Sequence, residues 1–556
     1  MAVRVSDVRG AAAAVVRGST AKYHRITIGG ETRFGIPIPR ASDGKKSLSL
    51  SLSVPADSVI HLAYGLEEST VTQATIRIKV AWDGTEKVLF TTRLEAKQEP
   101  GWTDLSLKLG GHQGEATLTL EVASVVPGRE APALSLSAPV ITRPTSTQRR
   151  PSVILVSLDT LRADHLGIYG YDRDTSPNMD ALFTTEGLVV DRVVSQAADT
   201  LYGHTALFTG MRPSTPLTSV PYGPTELSQL HSWALTLPEV LREAGYRTAA
   251  FTENALLVGP GVFNRGYEVY YEEKGIRNEI WKMRTTPGHI ESTFGRGLKW
   301  LERHADQTVF LFLHTYQVHA PYEPPASLSS LYPTPPGSPL NRVEMDLYDR
   351  EIRYTDDQVG KFVARLRQLG VLDNAILIIT SDHGEEFGEH GAGGHGAHLT
   401  SEILHVPLLI RAPGLIPAGV RREGPFGLVD LMPTLLDLLG LDIPPNVTGA
   451  SLASHLLEGT EGSTTPLFSE ARGAWRTIYR GPKGRALDPD WKGPAFSVTS
   501  WPLRMVMEIT KKGPPRYSLF HLDDDPGETS DLYNQEGADL GHMKRALDDY
   551  EKEKAR

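Results

Sequence analysis

The chain has 556 residues, of which 40% are hydrophobic and 22% charged, with a formal net charge of −10 and no cysteine. A chain of this length exceeds one ordinary hydrophobic core and predicts two or three domains. The net negative charge argues against a nucleic-acid-binding protein, and the absence of cysteine excludes disulfides, thiolate metal sites and a cysteine nucleophile.

Residues 1–29 are predicted to form an N-terminal segment. Its apolar stretch, Ala11–Val16, is shorter than the ~7–15-residue core of a typical signal peptide. We therefore expect a cytoplasmic protein, or a periplasmic or secreted one if a leader has been removed. No stretch approaches the ~20 apolar residues that cross a bilayer, so no transmembrane segment is expected.

Residues 30–140 are predicted to form a β-sandwich accessory domain. Polar and apolar residues alternate strictly in Ser47–Val54, Ala74–Val80 and Ala116–Val122. Such alternation indicates strands with one buried and one solvated face. This region contains no cluster of titratable residues. We therefore expect it to pack against the rest of the protein or to shield it, with carbohydrate binding as the alternative. Residues 141–151 are polar, basic and punctuated by proline, which is typical of a linker.

Residues 152–470 are predicted to form a single α/β domain. Continuous apolar runs, typical of strands buried on both faces, alternate with helical patterns, which favours a mostly parallel sheet with its ligand site at the carboxyl ends of the strands. The apolar runs are Val153–Leu158, Thr248–Phe251, Val309–Leu313, Ala375–Thr380 and Val406–Ile410, and the helical patterns are Leu237–Ala244, Phe294–His304 and Leu347–Leu369. Residues 471–556 are predicted to be a small α+β C-terminal subdomain.

Polar side chains follow three of the buried runs. Asp159 follows the first run, Asp382 and His383 follow Ala375–Thr380, and His314 and His319 follow Val309–Leu313. Carboxylate and imidazole donors together suit manganese, zinc or calcium ions. Three such ends in one sheet predict a metal-assisted active site.

Seven segments, spread from about residue 150 to 535, carry a pattern known from one enzyme family. They are Leu158–Gly167, Thr175–Asp180, His319–Tyr322, Ser381–Glu385, His405–Leu409, Leu431–Leu435 and Leu522–Glu528. In this order they resemble the sulfatase-like branch of the alkaline phosphatase superfamily. The resemblance implies an α/β fold, with a mostly parallel sheet flanked by helices, and a metal-dependent ester hydrolase.

The segment Thr200–Gly210 departs from the sulfatase pattern. Sulfatases carry Cys or Ser, then any residue, then Pro-Ser-Arg, and end this segment in Thr-Gly. Counting back from Thr209 and Gly210 puts Thr200 at the Cys/Ser position and His204 at the Arg position. Sulfatases convert that Cys or Ser to formylglycine, so Thr200 instead resembles the unmodified nucleophile of related phosphodiesterases and of phosphoglycerol and phosphoethanolamine transferases. Thr160 also replaces a second Asp, and the Lys-x-His element of sulfatases is missing.

The resemblance implies a role for each candidate site residue. One divalent metal ion (Ca, Mn or Zn) is expected, with a second metal held by some of the histidines as an alternative. Thr200 is the expected nucleophile, His319 binds substrate or protonates the leaving oxygen, and His204 contacts an oxyanion. The metal ligands are Asp159, Thr200, Asp382 and His383, and the substrate-binding candidates are His314, His395 and His398.

The predicted activity is hydrolysis of phosphate monoesters or diesters, or of phosphonate esters, through a phospho-enzyme on Thr200. The expected substrate is a small molecule, or a glycan or lipid-headgroup ester. Three alternatives stay open: a sulfatase, a phosphoglycerol or phosphoethanolamine transferase, and a non-catalytic binding protein with the sulfatase fold. The sequence does not predict an oligomeric state.

Overall fold

The chain divides into two compact units. The first contains Met1–Arg150, Glu239–Ala249 and Gly266–Glu272, and the second contains Pro151–Pro238, Ala250–Arg265 and Glu273–Arg556. The computed structural model describes residues 16–17, 24–28, 31–39, 45–55, 58–67, 73–94, 100–126, 129–137, 139–142, 150–217, 230–253, 257, 263–272, 288–471, 477–479, 485–487, 494–510, 513–534 and 540–554. Most of the N-terminal segment 1–29 and residues 143–149 of the predicted linker lie outside the described residues.

The first unit is built from strands in its N-terminal part. The three segments with strict alternation lie within β4, β6 and β9. The strands are β1 Val16–Arg17, β2 His24–Ile28, β3 Glu31–Pro37, β4 Lys46–Val54, β5 Val59–Leu66, β6 Ala74–Trp82, β7 Thr85–Leu94, β8 Gly101–Lys108, β9 Gly114–Ser124, β10 Leu134–Ser137 and β11 Val140–Thr142.

These strands form two antiparallel sheets around one apolar core. The first sheet has the order β1-β4-β9-β6-β7, and in the second β5 and β3 flank β10, while β11 and β8 both pair with β5. Leu50 of the first sheet and Ile60 of the second belong to the same buried cluster. In β4 the leucines point inward and the serines between them are exposed, because successive side chains of a strand face opposite ways.

The remaining strands lie after residue 150, and helices separate some of them. They are β12 Ser152–Leu158, β13 Leu188–Val190, β14 Val193–Val194, β15 Arg247–Thr252, β16 Val269–Glu272, β17 Val309–Thr315, β18 Ala375–Thr380, β19 Glu386–Phe387, β20 Ala392–Gly394, β21 Leu408–Arg411, β22 Val420–Arg422, β23 Phe426–Gly427, β24 Leu467–Ala471, β25 Thr477–Tyr479, β26 Arg485–Leu487, β27 Ala495–Ser500, β28 Leu503–Glu508 and β29 Arg516–His521. Strand β16 pairs with β3 and belongs to the first unit.

Two α-helices of the described chain are long and amphipathic, Ile290–His304 and Leu340–Gln368. The α-helices in the described ranges are Pro177–Glu186, Thr200–Thr209, Leu237–Glu243, Ile290–His304, Leu340–Gln368, Ser401–Leu404, Leu431–Leu438, Ala453–Glu458 and Gly541–Lys554. Helix Leu340–Gln368 begins seven residues before the predicted pattern, directly after Pro339, whose fixed φ suits a helix start. Within the described part of the chain, no helix is long and apolar enough to cross a membrane.

The central sheet of the second unit is parallel at β17, β12 and β18, and it becomes antiparallel at β21. Strand β12 runs parallel to both β17 and β18, but β21 runs antiparallel to both β18 and β13. Every residue of β12, β17 and β18 is buried, which agrees with their continuous apolar sequences. The α/β fold is thus confirmed, and the three parallel strands place their carboxyl ends at one edge of the sheet.

The C-terminal part adds a second, antiparallel sheet with the order β24-β27-β28-β29. Helix Gly541–Lys554 covers it, so that Leu547 shares a core with Met505 and Leu519. A buried ion pair joins Arg504 Nη1 to Glu528 Oε1 at 3.1 Å, and both side chains are 1% exposed. Glu528 comes from the last segment that resembles the sulfatase pattern, so that segment contributes to packing.

Candidate active site

Asp159 lies at the first of the three strand ends, directly after β12. The next residue, Thr160, has φ 60°, an unfavourable conformation for a β-branched residue. Two neighbours hold this turn: the Tyr348 hydroxyl donates to the Thr160 carbonyl at 2.7 Å, and the Leu161 N–H donates to Ser381 Oγ at 3.0 Å. Backbone strain is therefore stored next to a fully buried carboxylate, a place where strain often serves function.

Thr200 is the first residue of helix Thr200–Thr209. The Asp199 carboxylate caps this helix by accepting from the Tyr202 N–H at 3.1 Å. The positive end of the helix dipole thus lies at the Thr200 hydroxyl, where it favours a bound anion. Gly203, one turn later, lets the helix approach the turn at Asp382 that follows β18, because a Cβ there would lie 2.7 Å from the Asp382 carbonyl oxygen.

The four predicted metal ligands converge on one point. Thr200 Oγ1 lies 3.4 Å from both Asp159 Oδ2 and His383 Nε2, and His383 Nε2 lies 3.5 Å from Asp382 Oδ2. All four side chains are at most 1% exposed. These spacings exceed ordinary hydrogen bonds, but donors at ~2.0–2.2 Å from one ion stand about 3.3–3.5 Å apart. The donor set therefore fits a divalent cation.

Two further details agree with a cation at this point. Asp382 Oδ2 is buried and makes no hydrogen bond to any residue that the structure describes. His383 Nδ1 donates to the Gly384 carbonyl at 2.9 Å, which leaves the Nε2 lone pair free to bind a metal. Both carboxylate and imidazole are thus oriented as ligands.

The electrostatics of the cluster keep Asp159 ionised. Burial alone would raise the pKa of Asp159, but His314, His319 and His383 outweigh it and hold that pKa well below its usual value. Burial lowers the pKa of His383, yet Asp382 and Asp159 raise it above its ordinary value. In both cases the opposite charges of the cluster prevail over desolvation.

Two more histidines lie beside the ligand cluster. The ring of His395 lies 4.5 Å from that of His383 and 5.1 Å from that of His319. His395 Nδ1 contacts Glu385 Oε1 at 3.1 Å, and the Tyr322 hydroxyl donates to Glu385 Oε2 at 3.1 Å. Sequence reasoning did not identify Glu385 as a site residue, although it ends the Ser381–Glu385 segment.

Comparison with known proteins identifies the family. The sulfatase family model matches residues 151–441, which is more than half of the chain. The chain belongs to the sulfatase family. The predicted resemblance to the sulfatase family is therefore confirmed, and so is the prediction of a hydrolase that acts on ester bonds. A divalent metal ion is typical of the family. The threonine-nucleophile subgroup stays a prediction.

Individual relatives are mostly sulfatases. An arylsulfatase of Clostridium perfringens is 22% identical over 70% of this chain and 91% of its own length. The chain spans at most 30% of the arylsulfatase K proteins that it matches over shorter stretches. Among solved structures, BT4656 in complex with D-glucosamine-2-N,6-O-disulfate has a TM-score of 0.57 at 17% identity, covering 73% of this chain and 98% of that one. The phosphonate monoester hydrolase of Agrobacterium radiobacter has a TM-score of 0.56 at 20% identity, covering 73% and 95%.

His204 differs from the Arg that sulfatases carry at its position. Its Nδ1 donates to the Thr200 carbonyl at 2.9 Å, and its Nε2 lies 3.0 Å from Ser157 Oγ. Burial lowers the pKa of His204 to about 4, so the ring is neutral. Both ring nitrogens of His204 thus have partners inside the protein, and the oxyanion contact stays a prediction.

The other predicted site histidines, His319, His314 and His398, differ in their burial and in their hydrogen-bond partners. His319 is 8% exposed, its Nδ1 donates to the Ala320 carbonyl, and burial lowers its pKa to about 4. It therefore presents an unprotonated Nε2 when no anion is bound. His314 is fully buried beside Asp159. His398 Nδ1 contacts Glu386 Oε2 at 2.7 Å, a contact that ties His398 to its own loop rather than to Thr200.

Proposed function

We propose that the protein hydrolyses esters of a tetrahedral oxyacid, with the Thr200 hydroxyl as the attacking group. The observation that carries this proposal is the position of Thr200 Oγ1, 3.4 Å from both Asp159 Oδ2 and His383 Nε2, at the start of a helix. Asp159, Asp382, His383 and Thr200 would hold the divalent cation. Such a cation lowers the pKa of a coordinated hydroxyl and neutralises charge on the substrate oxygens.

The reaction would proceed in two displacements. Thr200 Oγ1 would release its proton to solvent and bond to the sulfur or phosphorus atom, while the bond from that atom to the ester oxygen breaks. The leaving oxygen takes a proton from His319, whose Nε2 becomes protonated once the anionic substrate raises the pKa of the ring. Water would then attack the same central atom and give one proton to His319 Nε2, while the bond from that atom to Thr200 Oγ1 breaks. Thr200 Oγ1 takes up a proton from solvent, so the inorganic acid is released and the hydroxyl is restored.

Sulfate esters are the first substrate candidates. The comparisons favour this alternative over the predicted phosphate esters, because the matched relatives are mostly sulfatases. A sulfatase built on Thr200 would work without formylglycine, since oxidation of a threonine side chain gives a ketone and not an aldehyde. Small sulfate esters and sulfated glycans are both compatible with the structural relatives.

Phosphate and phosphonate esters are the second candidates. Thr200 itself favours them. An unmodified hydroxyl forms a covalent intermediate that a second displacement must break to release the acid, and phosphoryl transfer proceeds through such phospho-enzymes. The structural likeness to a phosphonate monoester hydrolase adds to this argument. A phosphoglycerol or phosphoethanolamine transferase would differ only in the second displacement, where an alcohol would attack in place of water. A non-catalytic binding protein would have no need of the four clustered donors.

The proposed domain organisation follows the sequence. We assign 30–140 to a β-sandwich accessory domain, 152–470 to the catalytic domain and 471–556 to the C-terminal subdomain. Two antiparallel sheets around one core support the first assignment, and the site residues all fall in the second.

A substrate screen tests the function. Purified protein would be assayed with calcium, manganese and zinc, added singly, against aryl sulfates, phosphate monoesters and diesters, and phosphonate monoesters. Thr200→Ala should lower turnover by more than about 10³-fold, whereas Thr200→Ser should keep part of it, because the attacking oxygen survives. High-resolution mass spectrometry of quenched enzyme distinguishes a sulfo adduct on Thr200 from a phospho adduct. Full activity of Thr200→Ala would refute the mechanism, and inactivity on every ester would favour the binding protein.

A further inference from the structure

We propose that the second unit carries a carbohydrate-binding site outside the catalytic cluster, in a cavity beside strand β22 that takes a neutral oligosaccharide. The proposal goes beyond ester hydrolysis, because the residues that would bind the metal or attack the ester do not line this cavity. It rests on the volume, the charge and the side chains of the cavity itself.

The cavity lies where four segments of the second unit meet. Residues 421–425, 459–465 and 499–501 line it, together with His455 of helix Ala453–Glu458. Its volume of about 620 Å³ falls within the ~300–1,000 Å³ of sites for small ligands, and it opens to solvent. Part of an oligosaccharide chain can therefore enter it while the rest of the chain stays in solvent.

The cavity wall at Arg422 is fixed by hydrogen bonds within the protein. Three N–H groups of its guanidinium donate to backbone carbonyls, at 2.8 Å for His455, 3.3 Å for Arg421 and 3.4 Å for Leu457. His455 Nδ1 in turn donates to the Thr460 carbonyl, which joins the helix to the turn that follows it. A ligand thus meets a guanidinium that is already in place, and this lowers the entropic cost of binding.

The polar groups of the cavity leave hydrogen-bonding capacity for a ligand. A guanidinium has five N–H donors, so two of those of Arg422 remain, and no carboxylate within the described ranges pairs with it. Glu461 is exposed and likewise has no partner among the residues that the structure describes. Hydroxyl groups, which both donate and accept, line the same cavity at Thr460, Ser463, Thr464, Thr465 and Ser500.

The charges of the cavity favour a neutral ligand over an anion. Two arginines and two glutamates line it, and Arg421 and Glu423 are neutralised by ion pairs with residues outside the cavity. The two charges that remain, on Arg422 and Glu461, have opposite signs and would bind an acceptor and a donor respectively. Glu461 would repel sulfate or phosphate, whereas the adjacent hydroxyls of a sugar both donate and accept.

Trp501 adds a fixed aromatic ring to the cavity wall. The Arg192 guanidinium lies 4.9 Å from the centre of this ring, and the indole Nε1–H donates to Asp523 Oδ1 at 3.1 Å. The indole is only partly buried. A sugar ring carries an apolar face of C–H groups that packs on aromatic rings, while its hydroxyls bind the surrounding polar groups. An indole beside hydroxyl, guanidinium and carboxylate groups therefore suits a carbohydrate.

Titration of the full-length protein with neutral oligosaccharides tests the proposal. The probes are hexasaccharides of α-glucan, β-glucan, β-galactan, β-mannan and β-xylan, with inorganic sulfate and dextran sulfate as anionic probes. Isothermal calorimetry should show one site per chain and a Kd below about 1 mM for at least one neutral probe. Glu461→Ala should weaken that binding at least about fivefold, because a charge-assisted hydrogen bond is lost, and Trp501→Ala should weaken it as much.

Glu458 provides the matched control. It is an exposed carboxylate close to Glu461 in sequence, but it does not line the cavity. Glu458→Ala should keep wild-type affinity, and circular dichroism checks that each variant is folded. The proposal is overturned if no neutral probe binds at about 5 mM, if the two glutamate substitutions have equal effects, or if an anionic probe binds more tightly than every neutral one. The result does not depend on whether the protein hydrolyses esters.

Discussion

Gly203 offers a test of how closely the nucleophile helix must approach the metal ligands. In an exposed helix, Gly→Ala raises stability by about 0.8–1.0 kcal/mol. At Gly203, however, the added Cβ would lie 2.7 Å from the Asp382 carbonyl oxygen and 3.1 Å from the Asp382 Cβ. Either the helix or the Asp382 turn must move by several tenths of an ångström, and overpacking of this kind costs about 1–3 kcal/mol. We expect Gly203→Ala to be destabilised by about 1 kcal/mol and to bind its metal at least tenfold more weakly.

Gly295 provides the matched control for this prediction. It lies inside helix Ile290–His304, and a Cβ there would meet nothing within 4 Å. Gly295→Ala should therefore gain about 0.8–1.0 kcal/mol. Urea unfolding of both variants, with metal affinity measured by calorimetry, should give stability changes of opposite sign. If Gly203→Ala is stabilised as much as Gly295→Ala and keeps its metal affinity, the close approach between the helix and Asp382 is not a constraint and the reasoning is wrong.

Two further predictions concern charge pairs outside the reaction centre. Glu528→Ala leaves Arg504 buried without its carboxylate and should lower the free energy of unfolding by about 3–5 kcal/mol in urea denaturation, whereas a double replacement of both residues by apolar ones should cost much less. The hydrogen bond to Glu402 raises the pKa of His390 to about 9. Because the folded-state pKa lies above the unfolded value of 6.5, this pair stabilises the protein fully below about pH 6.5, and its contribution disappears as the pH rises through 9. After allowance for solvent screening it is worth about 1 kcal/mol, so melting temperatures of wild type and Glu402→Gln should differ at pH 6 and converge by pH 10; a constant difference would contradict the assignment.

The members of the ligand cluster could be found from sequence. Asp159, Asp382 and His383 each follow an apolar run, and carboxyl ends of neighbouring parallel strands meet at one edge of a sheet whatever else the chain does. Thr200 followed from counting back from a Thr-Gly pair. Strands in the first 150 residues were also predictable, since alternation with a period of two is a local property of the backbone. These features need only short-range patterns and the order of segments along the chain.

Other features depend on contacts between residues far apart in sequence. No local signal shows that the ring of His204 turns inward to the Thr200 carbonyl and Ser157, or that Glu385 lies between His395 and Tyr322. The antiparallel direction of β21 could not be predicted from sequence, because an apolar run has the same pattern in a parallel and in an antiparallel strand. Sequence patterns record which residues are buried and with what period. The partners of a buried polar group are chosen by packing, since only the assembled neighbours decide which hydrogen bonds are satisfied and which donor atoms are left for a ligand.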